Sequence, residues 1–331
     1  MDVPYLLAGD IGGTRTRLAV FAREGGLREP VARAEFASAE YPELESIVEA
    51  FLERVKLPIG LACFGVAGPV RGGRAALTNL PWVVDEERLR ARFNFERVRV
   101  MNDVQALAAG VPHLGEEDCV TLQKGTPQAG GTIAVAAVGT GLGASFLTWD
   151  GERYRAFPSE AGHAGFAPAD PRQAGLFLFL RERFGRVSRE RACSGTAIPH
   201  LYGYLKEEDE ACTAGRLAQE IAAAADPAPL IVEKALDENE SDPLCRATLE
   251  LFVSILGAVC GSLALDFLAT GGIFLGGGLP PRILPLLQEP LFLEAFLAKG
   301  RMANLMGGIP VRVIVKRGVA LVGAASEAMR P

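Results

Sequence analysis

Asn102-Asp103 pairs an amide with a carboxylate at a point where the chain changes its secondary structure. Residues 98–101 predict a strand, and a short helix is predicted to follow. At such a strand end a carboxylate can accept the proton of a hydroxyl that attacks a phosphoryl group, while the neighbouring amide orients that hydroxyl. The spacing also fits a simple helix N-cap pair, and the residues alone leave both interpretations open.

A second candidate segment is Ser159-Glu160-Ala161-Gly162-His163, which places a carboxylate and an imidazole in a glycine-bearing loop. No second histidine or cysteine lies nearby, which argues against metal ligation. Hydrogen bonding to a polyhydroxylated substrate fits better, since Glu160 accepts and a neutral His163 offers one donor and one acceptor. Glu190, between two arginines, is by default a surface charge.

A glycine-rich signature occurs three times along the chain. Its copies are Gly9-Asp10-Ile11-Gly12-Gly13-Thr14, Gly139-Thr140-Gly141-Leu142-Gly143 and Gly276-Gly277-Gly278-Leu279-Pro280. Each follows an apolar run typical of a strand, and glycine lets backbone N–H groups come close to phosphate oxygens. Three such turns predict a nucleotide held from several sides; the alternative is plain hairpin turns in a glycine-rich chain.

The residues around these turns argue against two common kinds of nucleotide site. None is a Walker A loop, because no Gly-Lys-Ser/Thr ending follows. Strand-like runs follow the first two, so they predict strand–turn–strand hairpins and not a dinucleotide-binding fingerprint, which opens a helix. Asp10 would repel phosphates unless Mg²⁺ lies between them, usually through retained water. Asp10 therefore predicts a water-mediated Mg²⁺ contact if a nucleotide binds, and a turn residue if none does.

Strands and helices alternate along the chain, which predicts an α/β protein. Residues 41–55 have helical apolar spacing with Pro42 in the first turn, Asp85 should cap a helix that runs to Phe93, and Asp242-Pro243 should open a long helix to about Leu268. The strand and glycine-turn pattern restarts in the second half, so a ligand cleft between two lobes is expected. The predicted domains are a small one, 1–112 plus 310–331, and a large one, 113–309.

Composition excludes several functional classes. The net charge of the 331 residues is −6 without a basic cluster, so nucleic acid is an unexpected partner. Six scattered cysteines without C-x-x-C spacing, and three histidines, argue against a structural zinc site and disulfides. The N-terminus lacks the basic region of a signal peptide, and the apolar run 251–269 is interrupted by polar residues and glycine, which favours a core helix over a membrane span. A cytoplasmic protein without a membrane partner is expected.

Taken in order, these segments resemble the zinc-free bacterial glucokinases of the enterobacterial type, in the actin/sugar kinase/heat-shock ATPase superfamily. Further matching residues are Arg17-Leu18-Ala19, Leu77-Thr78-Asn79, Trp82, Phe166-Ala167-Pro168, Ser194-Gly195, Leu201-Tyr202 and Pro281-Arg282. The resemblance implies a two-lobed α/β, actin-like or ribonuclease H-like ATPase fold with mixed sheets and a central cleft. It also implies an ATP-dependent, Mg²⁺-requiring kinase for the 6-hydroxyl of D-glucose, acting as a homodimer.

The resemblance also implies roles for single residues. Asp103 matches the catalytic base, and the sugar would be held by Asn102, Asp103, Glu160, His163 and Glu190. The nucleotide would be bound by Gly9, Asp10, Ile11, Gly12, Gly13, Thr14, Gly139, Thr140, Gly141, Gly276 and Gly277. The chain departs from many relatives at Arg15, where they carry Asn, and at Ser159-Glu160-Ala161, which replaces a more glycine-rich version. A kinase for another hexose and a non-catalytic sugar or nucleotide sensor remain open alternatives.

Overall fold

The computed structural model describes residues 4–77, 80–208, 216–237 and 239–330, which form two compact units. Unit 1 draws on Met1–Asp118, Ser145–Pro158 and Lys316–Pro331, and unit 2 on Cys119–Ala144 and Ser159–Val315. These contact-based boundaries differ from the predicted domain boundaries, and the predicted division stays a prediction. Thr78-Asn79, part of one resembling segment, and Cys212 lie outside the described residues.

Unit 1 is built on a mixed sheet of five strands. The strands are β1 (Tyr5–Ile11), β2 (Arg15–Ala22), β3 (Ala32–Ala37), β4 (Ile59–Val66) and β8 (Arg97–Asn102). Their order is β3-β2-β1-β4-β8, with β1, β4 and β8 parallel and the β1–β2 and β2–β3 pairs antiparallel. The hairpin predicted around the first glycine turn is therefore confirmed. β1 and β4 are buried almost throughout, as expected for central parallel strands covered on both faces.

The described part of unit 1 contains four α-helices, and one of them begins at Asp103. They are α1 (Leu44–Val55), α2 (Glu86–Phe93), α3 (Asp103–Gly110) and α13 (Val319–Ala328). The predicted Asp85 cap is confirmed, since its Oδ1 accepts the N–H of Glu87 at 2.9 Å. The predicted place of Pro42 is wrong: α1 begins at Leu44 with Glu43 as its N-cap, so Pro42 precedes the first turn. A small antiparallel sheet completes this part of the unit: β5 (Val70–Arg71), β6 (Arg74–Ala76) and β7 (Val83–Asp85).

Unit 2 contains a second mixed sheet, again with a parallel centre. Its strands are β9 (Cys119–Gln123), β10 (Ile133–Val138), the start of β11 (Leu142–Trp149), β13 (Gly272–Gly276) and β14 (Val311–Ile314). Here β10, β13 and β14 are parallel and β9 is antiparallel to β14. β11 begins in unit 2 and passes into unit 1 after Ala144, where β12 (Tyr154–Ser159) follows.

Helices surround the unit 2 sheet. They are α4 (Pro171–Phe184), α5 (Arg189–Ala192), α6 (Ile198–Glu208), α7 (Arg216–Ala223), α8 (Ala228–Leu236), α9 (Pro243–Asp266), α10 (Leu284–Leu287), α11 (Pro290–Leu297) and α12 (Ala303–Gly308). α9 begins as predicted, with Asp242 Oδ1 accepting the N–H of Cys245 at 2.8 Å and Pro243 in the first turn. It is the one helix of the described chain long and apolar enough to cross a bilayer. Most of it is buried in the core of unit 2 against α6, α8 and α11, which fits the predicted core helix.

Candidate active site

Asn102 ends β8 and caps α3, and Asp103 is the first residue of that helix. Asn102 Oδ1 accepts the N–H groups of Val104 at 3.0 Å and Gln105 at 3.1 Å, so its N-cap role is confirmed. Its Nδ2 donates to Asp103 Oδ1 at 3.0 Å and to the carbonyl oxygen of Gly68 at 3.2 Å. The cap and the chemical interpretations are compatible, because capping orders the amide that holds the carboxylate.

The surroundings of Asp103 suit it to proton transfer. Its Oδ1 also accepts the N–H of Val104 at 2.9 Å, so the ordering contacts use one oxygen and Oδ2 can take a substrate proton. Burial, with a smaller contribution from the negative charge of Asp10, raises the pKa of Asp103 from 3.8 to about 6, although its hydrogen bonds act in the opposite direction. A pKa near the working pH is what general-base catalysis requires.

Asp10 lies in unit 1 near the end of β1, opposite Arg17 on β2. Arg17 Nη1 donates to Asp10 Oδ2 at 3.2 Å, and Arg17 Nε donates to Glu35 Oε2 at 2.7 Å. Burial raises the pKa of Asp10, while the Arg17 charge and hydrogen bond lower it. The glycine turn that follows is ordered by its own backbone, because the N–H of Gly12 donates to the carbonyl oxygen of Arg15 at 3.0 Å. The carboxylate and the first glycine turn therefore share one rigid hairpin.

The second and third glycine turns come together in unit 2. Gly277 has a φ of +90°, and a Cβ there would overlap the carbonyl oxygen of Val138 at the end of β10. The N–H of Leu279 donates to that same oxygen at 3.1 Å. On the other side, the N–H of Gly195 donates to the carbonyl oxygen of Gly139 at 2.8 Å. Only glycine allows this approach, so the close packing of the two turns depends on Gly277.

A cavity of about 290 Å³ opens beside these turns, entirely within unit 2. The turns contribute Gly139, Thr140 and Gly278, and the α5–α6 connection contributes Gly195 and Thr196. The remaining lining residues come from α6, from the start of α8 and from the segment after β13: Ile198, Asp226, Ala228, Pro229, Val232, Leu279 and Arg282. Gly276 and Gly277 support this cavity without lining it.

Sequence reasoning missed most of this lining. In the sequence, Ser194-Gly195 and Pro281-Arg282 stood out only because they match the bacterial glucokinases. Asp226-Pro227, before α8, looks like an ordinary helix start. Only the folded chain shows that this helix start lies at the cavity.

Glu160, His163 and Glu190 cluster around the start of β11 in unit 2. The N–H of Leu142 donates to Glu190 Oε2 at 3.0 Å, so Glu190 is not a plain surface charge. His163 Nδ1 lies 3.9 Å from Glu190 Oε1, and His163 Nε2 lies 3.7 Å from Glu160 Oε2. Both separations exceed hydrogen-bond distance, which leaves donors and acceptors for a ligand.

Gly162 fixes the loop that carries Glu160 and His163. A Cβ on Gly162 would overlap the carbonyl oxygen of Leu142, the residue whose N–H binds Glu190. Leu142, the first residue of β11, therefore contacts both Glu190 and the loop that carries Glu160 and His163. No group of three or more His, Cys, Asp or Glu side chains in the described parts of the chain is arranged to hold a metal ion.

Comparisons with known proteins agree over nearly the whole chain. The glucokinase family model matches residues 7–331. The glucokinase of Nostoc punctiforme is 38% identical over 340 residues, covering 98% of this chain and 99% of its own. The glucokinase of Yersinia enterocolitica is 32% identical over 321 residues, covering 97% and 95%. The crystal structure of a glucokinase from an Antarctic psychrotroph is 33% identical, with a TM-score of 0.82 over 98% of both chains.

This similarity confirms two predictions from the sequence. The α/β, actin-like ATPase fold class with mixed sheets is shared with the solved glucokinase structure. The resemblance to bacterial glucokinases is confirmed by the family match and the identity with full-length relatives. This chain belongs to the glucokinase family.

Proposed function

We propose that this protein is a glucokinase that transfers the γ-phosphoryl group of ATP to the 6-hydroxyl of D-glucose, giving glucose 6-phosphate and ADP. The observation that carries the proposal is the Asp103 carboxylate, ordered by Asn102 at the start of α3 and with its pKa raised to about 6. A hexokinase-type reaction needs a base of this kind beside an acceptor hydroxyl. The family match along the full chain supports the same reaction.

Asp103 would act as the general base. Its Oδ2 takes the proton of the glucose 6-hydroxyl as the new O–P bond forms, and the bond from the γ-phosphorus to the bridging oxygen of ADP breaks. Asn102, Glu160, His163 and Glu190 would hydrogen-bond the other sugar hydroxyls. A buried polar group left without its partner costs about 1–3 kcal/mol, so such a network disfavours sugars that lack a matching hydroxyl.

The nucleotide would be bound by the glycine turns. The first glycine segment contributes Gly9, Asp10, Ile11, Gly12, Gly13 and Thr14, the second Gly139, Thr140 and Gly141, and the third Gly276 and Gly277. The cavity beside the second and third turns supports a place for the nucleoside there, because it combines backbone turns with an apolar wall.

Mg²⁺ would accompany ATP. The residues present fit a water-mediated ion, because Asp10 offers hard carboxylate oxygens near the end of β1, directly before the first glycine turn. When bound, the ion would neutralise charge on the phosphate oxygens. Asp10 would hold its water shell, and Arg17 would hold Asp10 in place.

The protein would act in the cytoplasm as a homodimer, without nucleic-acid or membrane partners, and would supply glucose 6-phosphate to glycolysis. We retain the domain division 1–112 plus 310–331 against 113–309 as part of this proposal. Size-exclusion chromatography with light scattering tests the dimer, and limited proteolysis tests the domain boundaries.

ADP release, measured in a coupled assay with ATP and Mg²⁺, tests the proposed function directly. Release that depends strongly on glucose is expected. A panel of hexoses under the same ATP concentration distinguishes glucose from fructose, mannose and amino sugars. Sugar or nucleotide binding without turnover would instead identify a sensor and refute the kinase.

A further inference from the structure

Asp226 is a charged residue of the unit 2 cavity that the proposed mechanism does not use. It lies just before α8, and its Oδ1 accepts the N–H of Ala228 at 3.2 Å. Arg282 lines the same cavity, but among the described residues no salt bridge joins it to Asp226. Its second oxygen, Oδ2, is therefore left for another donor.

The remaining lining indicates which part of a nucleotide lies near Asp226. Ile198, Val232 and Leu279 give an apolar wall that suits the faces of a purine. The backbone N–H of Thr140 suits a phosphate oxygen, because an N–H group carries a partial positive charge. A carboxylate repels phosphate oxygens, so within this cavity Asp226 belongs to the nucleoside end.

We propose that Asp226 is a specificity-determining residue for the phosphoryl donor: its free carboxylate oxygen accepts a hydrogen bond from the nucleoside part of ATP. The donors available there are the ribose hydroxyls and the exocyclic amine of adenine. The inference rests on the proposed function, since it assigns the donor of that same reaction. It predicts that a nucleoside is read at this position, which inorganic polyphosphate cannot provide.

Two variants separate this role from the hydrogen bond that Asp226 accepts from Ala228. Asp226→Asn keeps an oxygen to accept the N–H of Ala228, but it replaces the second acceptor by an NH₂ group. Asp237→Asn is the matched control: Asp237 lies just beyond the other end of α8, its Oδ1 accepts the N–H of Asn239 at 3.0 Å, and it does not line the cavity. A cooperative thermal melting transition in each variant shows that both fold.

Calorimetric titration with ADP is the first measurement. Hydrogen bonds to charged groups are the stronger class, and for an exposed carboxylate we expect Asp226→Asn to weaken ADP binding about tenfold. Asp237→Asn should bind ADP as the wild type does. Equal affinity of the Asp226 and Asp237 variants for ADP would overturn the proposal.

Two ADP analogues locate the donor. 2′,3′-Dideoxy-ADP lacks the ribose hydroxyls, and purine riboside diphosphate lacks the amine. If the carboxylate reads one of these groups, the analogue without it binds wild type more weakly, and Asp226→Asn causes no further loss with that analogue. An equal loss with ADP and both analogues would show that Asp226 contacts neither group and would overturn the proposal.

The outcome is independent of whether the protein phosphorylates glucose. Glucose-dependent ADP release by the wild type tests the proposed function, while ADP titration tests Asp226 with no turnover. In the active enzyme, Asp226→Asn should raise the KM for ATP about tenfold and leave the KM for glucose unchanged. An active wild type with an unaffected Asp226 variant would refute only the role of Asp226.

Discussion

Asn102 Nδ2 donates a hydrogen bond to Asp103 Oδ1 at 3.0 Å while Asn102 Oδ1 caps α3. One amide therefore both begins the helix and orients the carboxylate at its first position. The second carboxylate oxygen is left for proton transfer. Because Asn102 caps the helix and Asp103 carries the free oxygen, mutation of Asp103 tests proton transfer without removing the helix cap.

Asp103→Ala should nearly abolish turnover and leave the fold intact. A positioned general base contributes about 10²–10⁴-fold, so a kcat loss in that range is expected. Coupled-assay kinetics measure the loss, and circular dichroism checks the fold. Near-normal turnover in the folded variant would show that another group is the base.

The activity should have an acid limb near pH 6. Asp103 accepts a proton only when ionised, and burial raises its pKa from 3.8 to about 6. Below that pH the rate should fall about tenfold for each pH unit. A profile of kcat/KM against pH checks this, and a limb near pH 4 would contradict the elevated pKa.

Asp103→Asn should increase the stability of the fold at pH 7. A pKa raised on folding means that the ionised carboxylate destabilises the folded state, fully above about pH 6 and not at all below pH 3.8. The full shift corresponds to roughly 3 kcal/mol, and solvent screening of this partly exposed carboxylate reduces the expected effect to about 1 kcal/mol. Urea unfolding at pH 7 and pH 3.5 measures the difference, which should vanish at the lower pH.

Asp237→Asn should change the stability of the fold in the opposite direction. Backbone hydrogen bonds from Asn239 and Glu240 lower the pKa of Asp237, so its ionised form stabilises the fold above its unfolded pKa of 3.8. Its substitution should therefore decrease stability at pH 7, with the loss disappearing as the pH falls through the lowered pKa. If both variants changed stability in the same direction, the assigned pKa shift of Asp103 would be wrong.

Gly162→Ala should raise the KM for glucose. An added Cβ would overlap the Leu142 carbonyl oxygen, so the loop carrying Glu160 and His163 must move. Gly165→Ala is the matched control, because a Cβ there meets nothing within 4 Å. Glucose titrations of both variants, with ATP saturating, measure the effect. Equal KM values would show that this loop does not position the sugar.

Glu190→Gln tests the sugar contact without moving the loop. Its amide oxygen can still accept the N–H of Leu142, which Glu190 Oε2 accepts at 3.0 Å in the wild type. The lost negative charge should weaken a charge-assisted bond to a sugar hydroxyl, raising the KM for glucose about tenfold. The KM for ATP should change little, and a larger change there would place Glu190 on the nucleotide instead.

Several local features of this protein are predictable from short stretches of its sequence. Strand–turn–strand spacing around Gly9 to Thr14, the caps at Asp85 and Asp242, and the apolar core helix are each written in a few consecutive residues. The ordered set of segments also indicated the glucokinase family, and the family model matches residues 7–331.

Contacts between segments that are distant in the sequence are visible only in the folded chain. Glu190 meets the N–H of Leu142 across 48 residues, the third glycine turn packs on Val138, and Asp226 lies at a cavity with Gly139. No short window encodes such contacts, since they arise where separate strands and helices pack. For the same reason Glu190 looked like a surface charge in the sequence. In the folded chain it accepts a hydrogen bond from the first residue of β11.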